Sequence, residues 1–167
     1  MPSDTRISEE ASTFSRTVQP VVLKGNRSID ATEKHSSPIK AGSLIGVRVL
    51  LIEDDPLSRE ALELILDYCG AEVVSVESAA EALAAYEHRA PTIMISDIGL
   101  PDLDGCNLLR TIRARQQRRG QHIPAVAVSG YSSQETGERA RNSGFDAFLT
   151  KPVEVVRLLQ MVRELIS

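Results

Sequence analysis

Six polar residues stand at the ends of short apolar runs. Residues 47–52 lead into Glu53, Asp54 and Asp55, residues 92–96 lead into Asp97, residues 124–129 end on Ser129, and residues 145–150 lead into Lys151. If these runs are neighbouring strands pointing the same way, the six groups meet in one crevice. Carboxylates packed within a few ångströms repel and raise one another's pKa. A divalent cation removes that conflict, and an all-oxygen ligand set suits Mg²⁺ or Mn²⁺. The lysine stands where a further anionic group could be held. A carboxylate nucleophile, a hard cation, a hydroxyl donor and an ammonium are the parts of a phosphoryl-transfer site.

The elements that must position these groups follow from periodicity. Residues 47–52 (VRVLLI) form a near-continuous apolar run, which suits a strand buried on both faces. Pro56 opens a helix and Gly70 closes it. Leu57, Ala61, Leu64, Ile65 and Tyr68 fall at helical spacing and are expected to form its inner face. Asp55, just before the proline, is expected to cap that helix. Residues 72–76 are a weaker strand, and Ser78 with Glu81 reads as a capping box for a second helix to about Arg89. Residues 92–96 are a third strand. A third helix is expected from Gly105 to about Arg115, with Asp102 and Asp104 shaping the loop before it. Residues 124–129 are a fourth strand, Ser132 and Glu135 cap a fourth helix ending near Gly144, residues 145–150 are a fifth strand, and residues 153–166 are the last helix. Strand and helix alternate five times, which predicts a doubly wound (βα)5 three-layer α/β sandwich with a five-stranded parallel sheet. In such folds the site lies outside the carboxyl ends of the strands, at a topological switch point.

Composition bounds the rest. Hydrophobic residues make up 42% of the 167, and aromatics only 4% with no Trp, so the core must be aliphatic. The net charge of −4 weighs against non-specific nucleic-acid binding, and the arginines at 110, 113, 115, 118 and 119 read as a solvated helix face. Cys69 and Cys106 match no metal spacing and are expected to be buried thiols. No run approaches the ~18 apolar residues of a membrane span. No signal-peptide core is present, so a cytoplasmic address is expected. Residues 1–46 are rich in Ser, Thr, Lys and Glu and read as a disordered tail, within which Val18 to Leu23 is the one stretch suited to a short element.

Four stretches carry a resemblance: VLLIEDDP (49–56), SDIGLPDLDG (96–105), AVSGY (127–131) and FLTKP (148–152). In this order, each at a strand end, they resemble the receiver domain of two-component response regulators, most of all receivers attached to hybrid sensor kinases. The resemblance covers about residues 47–167 and implies the flavodoxin-like strand order 2-1-3-4-5. It implies that Asp97 is the phosphoacceptor. Asp54, Asp97 and the Gly99 backbone carbonyl would hold Mg²⁺ (or Mn²⁺), with Glu53 acting through a water. Lys151 would pair with the phosphoryl group, Ser129 would be the switch hydroxyl, and Phe148 the aromatic switch residue that turns inward. Gly99 and Tyr131 occupy positions that tune water access. The phosphodonor would be a sensor histidine kinase or a histidine phosphotransfer protein. A downstream protein would read the surface of the fourth helix, fifth strand and fifth helix, where a homodimer could also form. No direct DNA binding, no membrane association and no turnover of a separate substrate is expected, only self-phosphorylation and dephosphorylation. With no output domain after Ser167, the chain reads as a stand-alone receiver or a piece of a longer protein.

Three other readings compete. A haloacid-dehalogenase-like phosphatase also uses an aspartate after a strand, but needs a second Asp two residues on, where this chain has Gly99. A receiver-like interaction domain that is never phosphorylated would not need the complete acid, hydroxyl and lysine set. Dinucleotide binding would need GxGxxG after the first strand, where acids stand instead.

Overall fold

The computed structural model describes residues 40–167. Five strands, β1 (Arg48–Ile52), β2 (Glu72–Val76), β3 (Ile93–Asp97), β4 (Ala125–Ser129) and β5 (Ala147–Thr150), alternate with five helices, α1 (Pro56–Tyr68), α2 (Ala79–His88), α3 (Gly105–Arg119), α4 (Gln134–Ser143) and α5 (Val155–Ile166). All strand pairs are parallel, in the order β2-β1-β3-β4-β5. Alternating side chains of each strand feed two cores. Val49, Leu51, Ile93, Ile95, Val126 and Val128 pack with α1 and α5. Leu50, Ile52, Met94, Ala125 and Ala127 pack with α2, α3 and α4. Burial on both faces explains why these strands read as continuous apolar runs. The two cysteines are free and buried, one in each core.

Local signals set the helix ends. Asp55 accepts the Ser58 N–H at 2.8 Å and caps α1, with Pro56 in its first turn. Ser78 caps α2 by accepting the Glu81 N–H, while the Glu81 carboxylate takes the N–H of Glu77. Gly120 and Gly144 take left-handed φ values of 63° and 97° and stop α3 and α4. The third helix therefore runs one turn past Arg115. The fourth is capped by Ser133, whose hydroxyl accepts the Thr136 N–H, one residue later than Ser132.

The expected inner face of α1 is corrected. Leu57, Leu64 and Tyr68 are 77%, 71% and 60% exposed, and Ala61 is exposed too. Leu62, Leu66 and Cys69 are buried instead, with Ile65 shared between the two stripes. The helix carries two overlapping apolar stripes, and its docking on β1 and β2 selects the second. The folded body also begins earlier than residue 47. Leu44 is buried beside α1, and its N–H bonds the Cys69 carbonyl at 2.8 Å. The remaining part of the expected tail, with Val18 to Leu23, lies outside the described residues.

Candidate functional site

The order of strands reverses between β1 and β3, and the carboxyl ends of those two strands carry the acids. β1 hands over to Glu53, whose N–H still bonds the Val76 carbonyl, so its position is fixed by the sheet. Asp97 is the last residue of β3, in register with Val128 on β4. The Lys151 N–H bonds the Ser129 carbonyl at 2.8 Å, which ties the ends of β4 and β5 together. The sheet thus delivers Glu53, Asp54, Asp97, Ser129 and Lys151 to one end of the molecule.

There the lysine bridges two acids. Its Nζ donates to Asp97 Oδ2 at 2.6 Å and to Glu53 Oε1 at 2.9 Å. Glu53 is 1% exposed and also accepts the Asp55 N–H. Burial pushes the Glu53 carboxyl above its usual range, and Lys151 pulls it back only in part. Burial works against the Lys151 ammonium, yet its hydrogen bonds to Asp97 and Glu53 carry it above the ordinary lysine value. The other Asp97 oxygen, Oδ1, accepts the Gly99 N–H at 2.8 Å.

Glu53, Asp54 and Asp97 each offer a carboxylate oxygen within 4.8 Å of the others. Three carboxylates face one ammonium, so the cluster carries excess negative charge that a divalent cation would balance. The hard, all-oxygen donor set fits a cation with bonds of about 2.1 Å that keeps some of its waters. The residues present can therefore hold a metal ion.

Two expected residues stand apart from this cluster. Ser129 is buried, and its hydroxyl accepts the Tyr131 N–H at 3.1 Å rather than bonding Asp97. Phe148 is 6% exposed, in the core that faces α2, α3 and α4. Its side chain packs in that core beside α4. Asp55, Asp102 and Asp104 are helix caps. Asp102 accepts the N–H groups of Ala79 and Ala80 at the start of α2, and Asp104 accepts that of Cys106 in α3.

Residues missed in the sequence support the site from behind. Arg59 donates to the carbonyls of Glu53 at 2.8 Å and Asp54 at 3.3 Å, clamping the acidic loop. Its position one turn into a proline-started helix is a signal, because helical side chains lean back toward the N-terminus. The Ser96 hydroxyl bonds the Asp97 carbonyl. Gly105 presses on that same carbonyl: a Cβ there would stand 2.3 Å from the Asp97 oxygen. Arg113, read as part of a solvated face, is largely buried and bonds the Gly144 and Ile123 carbonyls and Asp146.

Comparison with known proteins agrees with this geometry. The response regulator receiver domain profile matches residues 49–163. The response regulator protein FleR of Pseudomonas aeruginosa is 36% identical over 118 residues, 71% of this chain and 24% of FleR. A CheY-like response regulator receiver domain protein from Methanospirillum hungatei is 34% identical with a TM-score of 0.63, covering 71% of this chain and 91% of that one. The receiver domain of a sensor histidine kinase from Pseudomonas aeruginosa, determined with a magnesium ion in its active-site cleft, is 28% identical with a TM-score of 0.66, covering 72% and 98%. A doubly wound domain with an acidic cluster and a lysine at its switch point is a signalling module of the two-component type. The chain belongs to the response regulator receiver domain family.

Proposed function

We propose that Asp97 accepts a phosphoryl group from a phosphohistidine, and that the resulting change at α4, β5 and α5 signals to a partner protein. The observation that carries this reading is the Lys151 ammonium, 2.6 Å from Asp97 Oδ2 at the mouth of the acidic cluster. The phosphodonor is a sensor histidine kinase or a histidine phosphotransfer protein, the partners with which receiver domains interact. A carboxylate oxygen of Asp97 attacks phosphorus as the phosphorus–nitrogen bond to the donor imidazole breaks. Lys151 keeps its ammonium beside Asp97 and is placed to hydrogen bond an oxygen of the incoming group. Asp54, Asp97 and the Gly99 carbonyl would hold Mg²⁺, with Glu53 through a water; when bound, the cation offsets negative charge on the transferring oxygens.

The aspartyl phosphate brings close to two negative charges to the end of β3. Ser129 releases the Tyr131 N–H and donates its hydroxyl to the phosphoryl group. That motion draws the loop between β4 and α4 toward the site. Phe148, buried in the core that packs against α4, adjusts with that loop as the aromatic switch residue. The equilibrium is a population shift, and a coupling of ~1–3 kcal/mol alters partner affinity ~5–150-fold.

Intact mass spectrometry after incubation with acetyl phosphate and Mg²⁺ tests the assignment. The chain is expected to gain one phosphoryl group, and Asp97→Asn or removal of divalent cation to abolish the gain. Phosphorylation that survives Asp97→Asn would refute it.

A further inference from the structure

The three carboxylates of the acidic cluster are held unequally. Asp97 is fixed by Lys151 and the Gly99 N–H. Glu53 is fixed by Lys151 and the Asp55 N–H. Among the described residues, no hydrogen bond or ion pair holds the Asp54 carboxylate, yet it offers an oxygen within 4.8 Å of the other two. Like charges at that separation repel. The aim of the Asp54 side chain is therefore set by its backbone, and that backbone must be kept from turning the carboxylate away.

Arg59 is the group that holds it. The Arg59 N–H bonds the Asp55 carbonyl at 2.9 Å in the first turn of α1, and a helical side chain there leans back toward the N-terminus. Its Nη1 donates to the Glu53 carbonyl at 2.8 Å and to the Asp54 carbonyl at 3.3 Å. Its Nη2 reaches Glu77, in the loop ahead of α2, at 3.4 Å. The Arg59 side chain is 20% exposed and that of Glu77 is 62% exposed, so the grip on the two carbonyls is the sheltered part of the arrangement and the ion pair is the solvated part. A planar guanidinium fork serves three oxygens in fixed directions, which the point charge of a lysine does not.

We propose that Arg59 is a positioning residue for the divalent cation: by gripping the Glu53 and Asp54 carbonyls it keeps the Asp54 carboxylate aimed into the cluster, and so sets the affinity for Mg²⁺. The role rests on the reading of the acidic cluster as the Mg²⁺ site of the phosphoacceptor. Its sign separates it from plain electrostatics. A guanidinium beside a cation site repels the cation, so if charge alone mattered, deleting Arg59 would tighten Mg²⁺ binding. If it orients Asp54, deleting it weakens binding, and loss of a group that orients a metal ligand costs about 10–100-fold in affinity.

Isothermal titration calorimetry of the full chain with MgCl₂ alone, in the absence of any phosphodonor, reads that sign directly. Arg59→Ala is expected to raise the Mg²⁺ Kd about 10–100-fold. Arg59→Lys keeps the charge and the aliphatic stem but loses the fork. It is expected to bind Mg²⁺ more weakly than the parent, and it carries the test if Arg59→Ala folds poorly. Glu77→Ala removes the exposed ion pair and leaves the carbonyl grip, so its Kd is expected to stay within about fivefold of the parent. Parent-like or tighter Mg²⁺ binding in either Arg59 variant would overturn the proposal. So would a loss in Glu77→Ala as large as that in Arg59→Ala, which would move the role to the ion pair. A parent chain that binds no Mg²⁺ would overturn this role together with the metal site. Mg²⁺ binding without acetyl phosphate labelling of Asp97 would count against the phosphoacceptor role and leave the Arg59 result standing.

Discussion

All three oxygens of Asp97 are held: Lys151 on Oδ2, the Gly99 N–H on Oδ1, and the Ser96 hydroxyl on its carbonyl. Gly105 closes over that carbonyl so tightly that any side chain there must push on backbone. Gly105→Ala is expected to destabilise the domain by ~1–3 kcal/mol in urea unfolding, the usual range for overpacking against an unyielding neighbour. Asp102 shows a different residue-scale effect. The Ala79 N–H, and after it the Ala80 N–H, hold its carboxyl below the usual aspartate range. A depressed folded-state pKa gives stability that is present above the unfolded value and lost as pH falls through the folded one. Asp102→Asn is therefore expected to be less stable than the parent at neutral pH, with the two melting temperatures converging in acid. A gap that persists unchanged in acid would show that the charge is not what caps α2.

At the scale of elements, α1 separates two kinds of leucine on one helix. Leu66 is fully buried between helix and sheet, whereas Leu64 is 71% exposed. Leu66→Ala is expected to cost about 2–5 kcal/mol by chemical denaturation. Leu64→Ala is expected to stay within about 0.5 kcal/mol, since surface changes away from special contacts are near neutral. Equal costs would mean that the outer stripe is packed against something that stabilises the fold.

Across the whole molecule, the functional end of the sheet is matched by a fastening at the opposite end. Arg113 of α3 reaches the Gly144 carbonyl after α4, the Ile123 carbonyl before β4, and Asp146 before β5. Asp146 also accepts the Ala125 N–H and contacts His122. One buried ion pair thus joins α3 to the lower ends of β4 and β5. Asp146→Ala strands the buried guanidinium without its carboxylate and is expected to lower stability by roughly 3–5 kcal/mol in equilibrium unfolding, while leaving acetyl phosphate labelling of Asp97 in the surviving folded fraction.

Strand runs, helix caps and the residues at strand ends were legible because each depends on neighbours in the chain. Apolar runs of five or six residues, Asp55-Pro56 and Gly144 declare themselves locally, and the parallel topology then forces Glu53, Asp54, Asp97 and Lys151 to one end. The phase of α1, the burial of Leu44 and Arg113 and the capping role of Asp102 were not legible. Each is settled by a surface contributed from a distant part of the chain. Two apolar stripes on one helix are told apart by which one meets the sheet, and an arginine is solvated or buried according to whether an aspartate 33 residues away faces it. Local sequence determined which groups could do chemistry. Tertiary packing decided how each one is held.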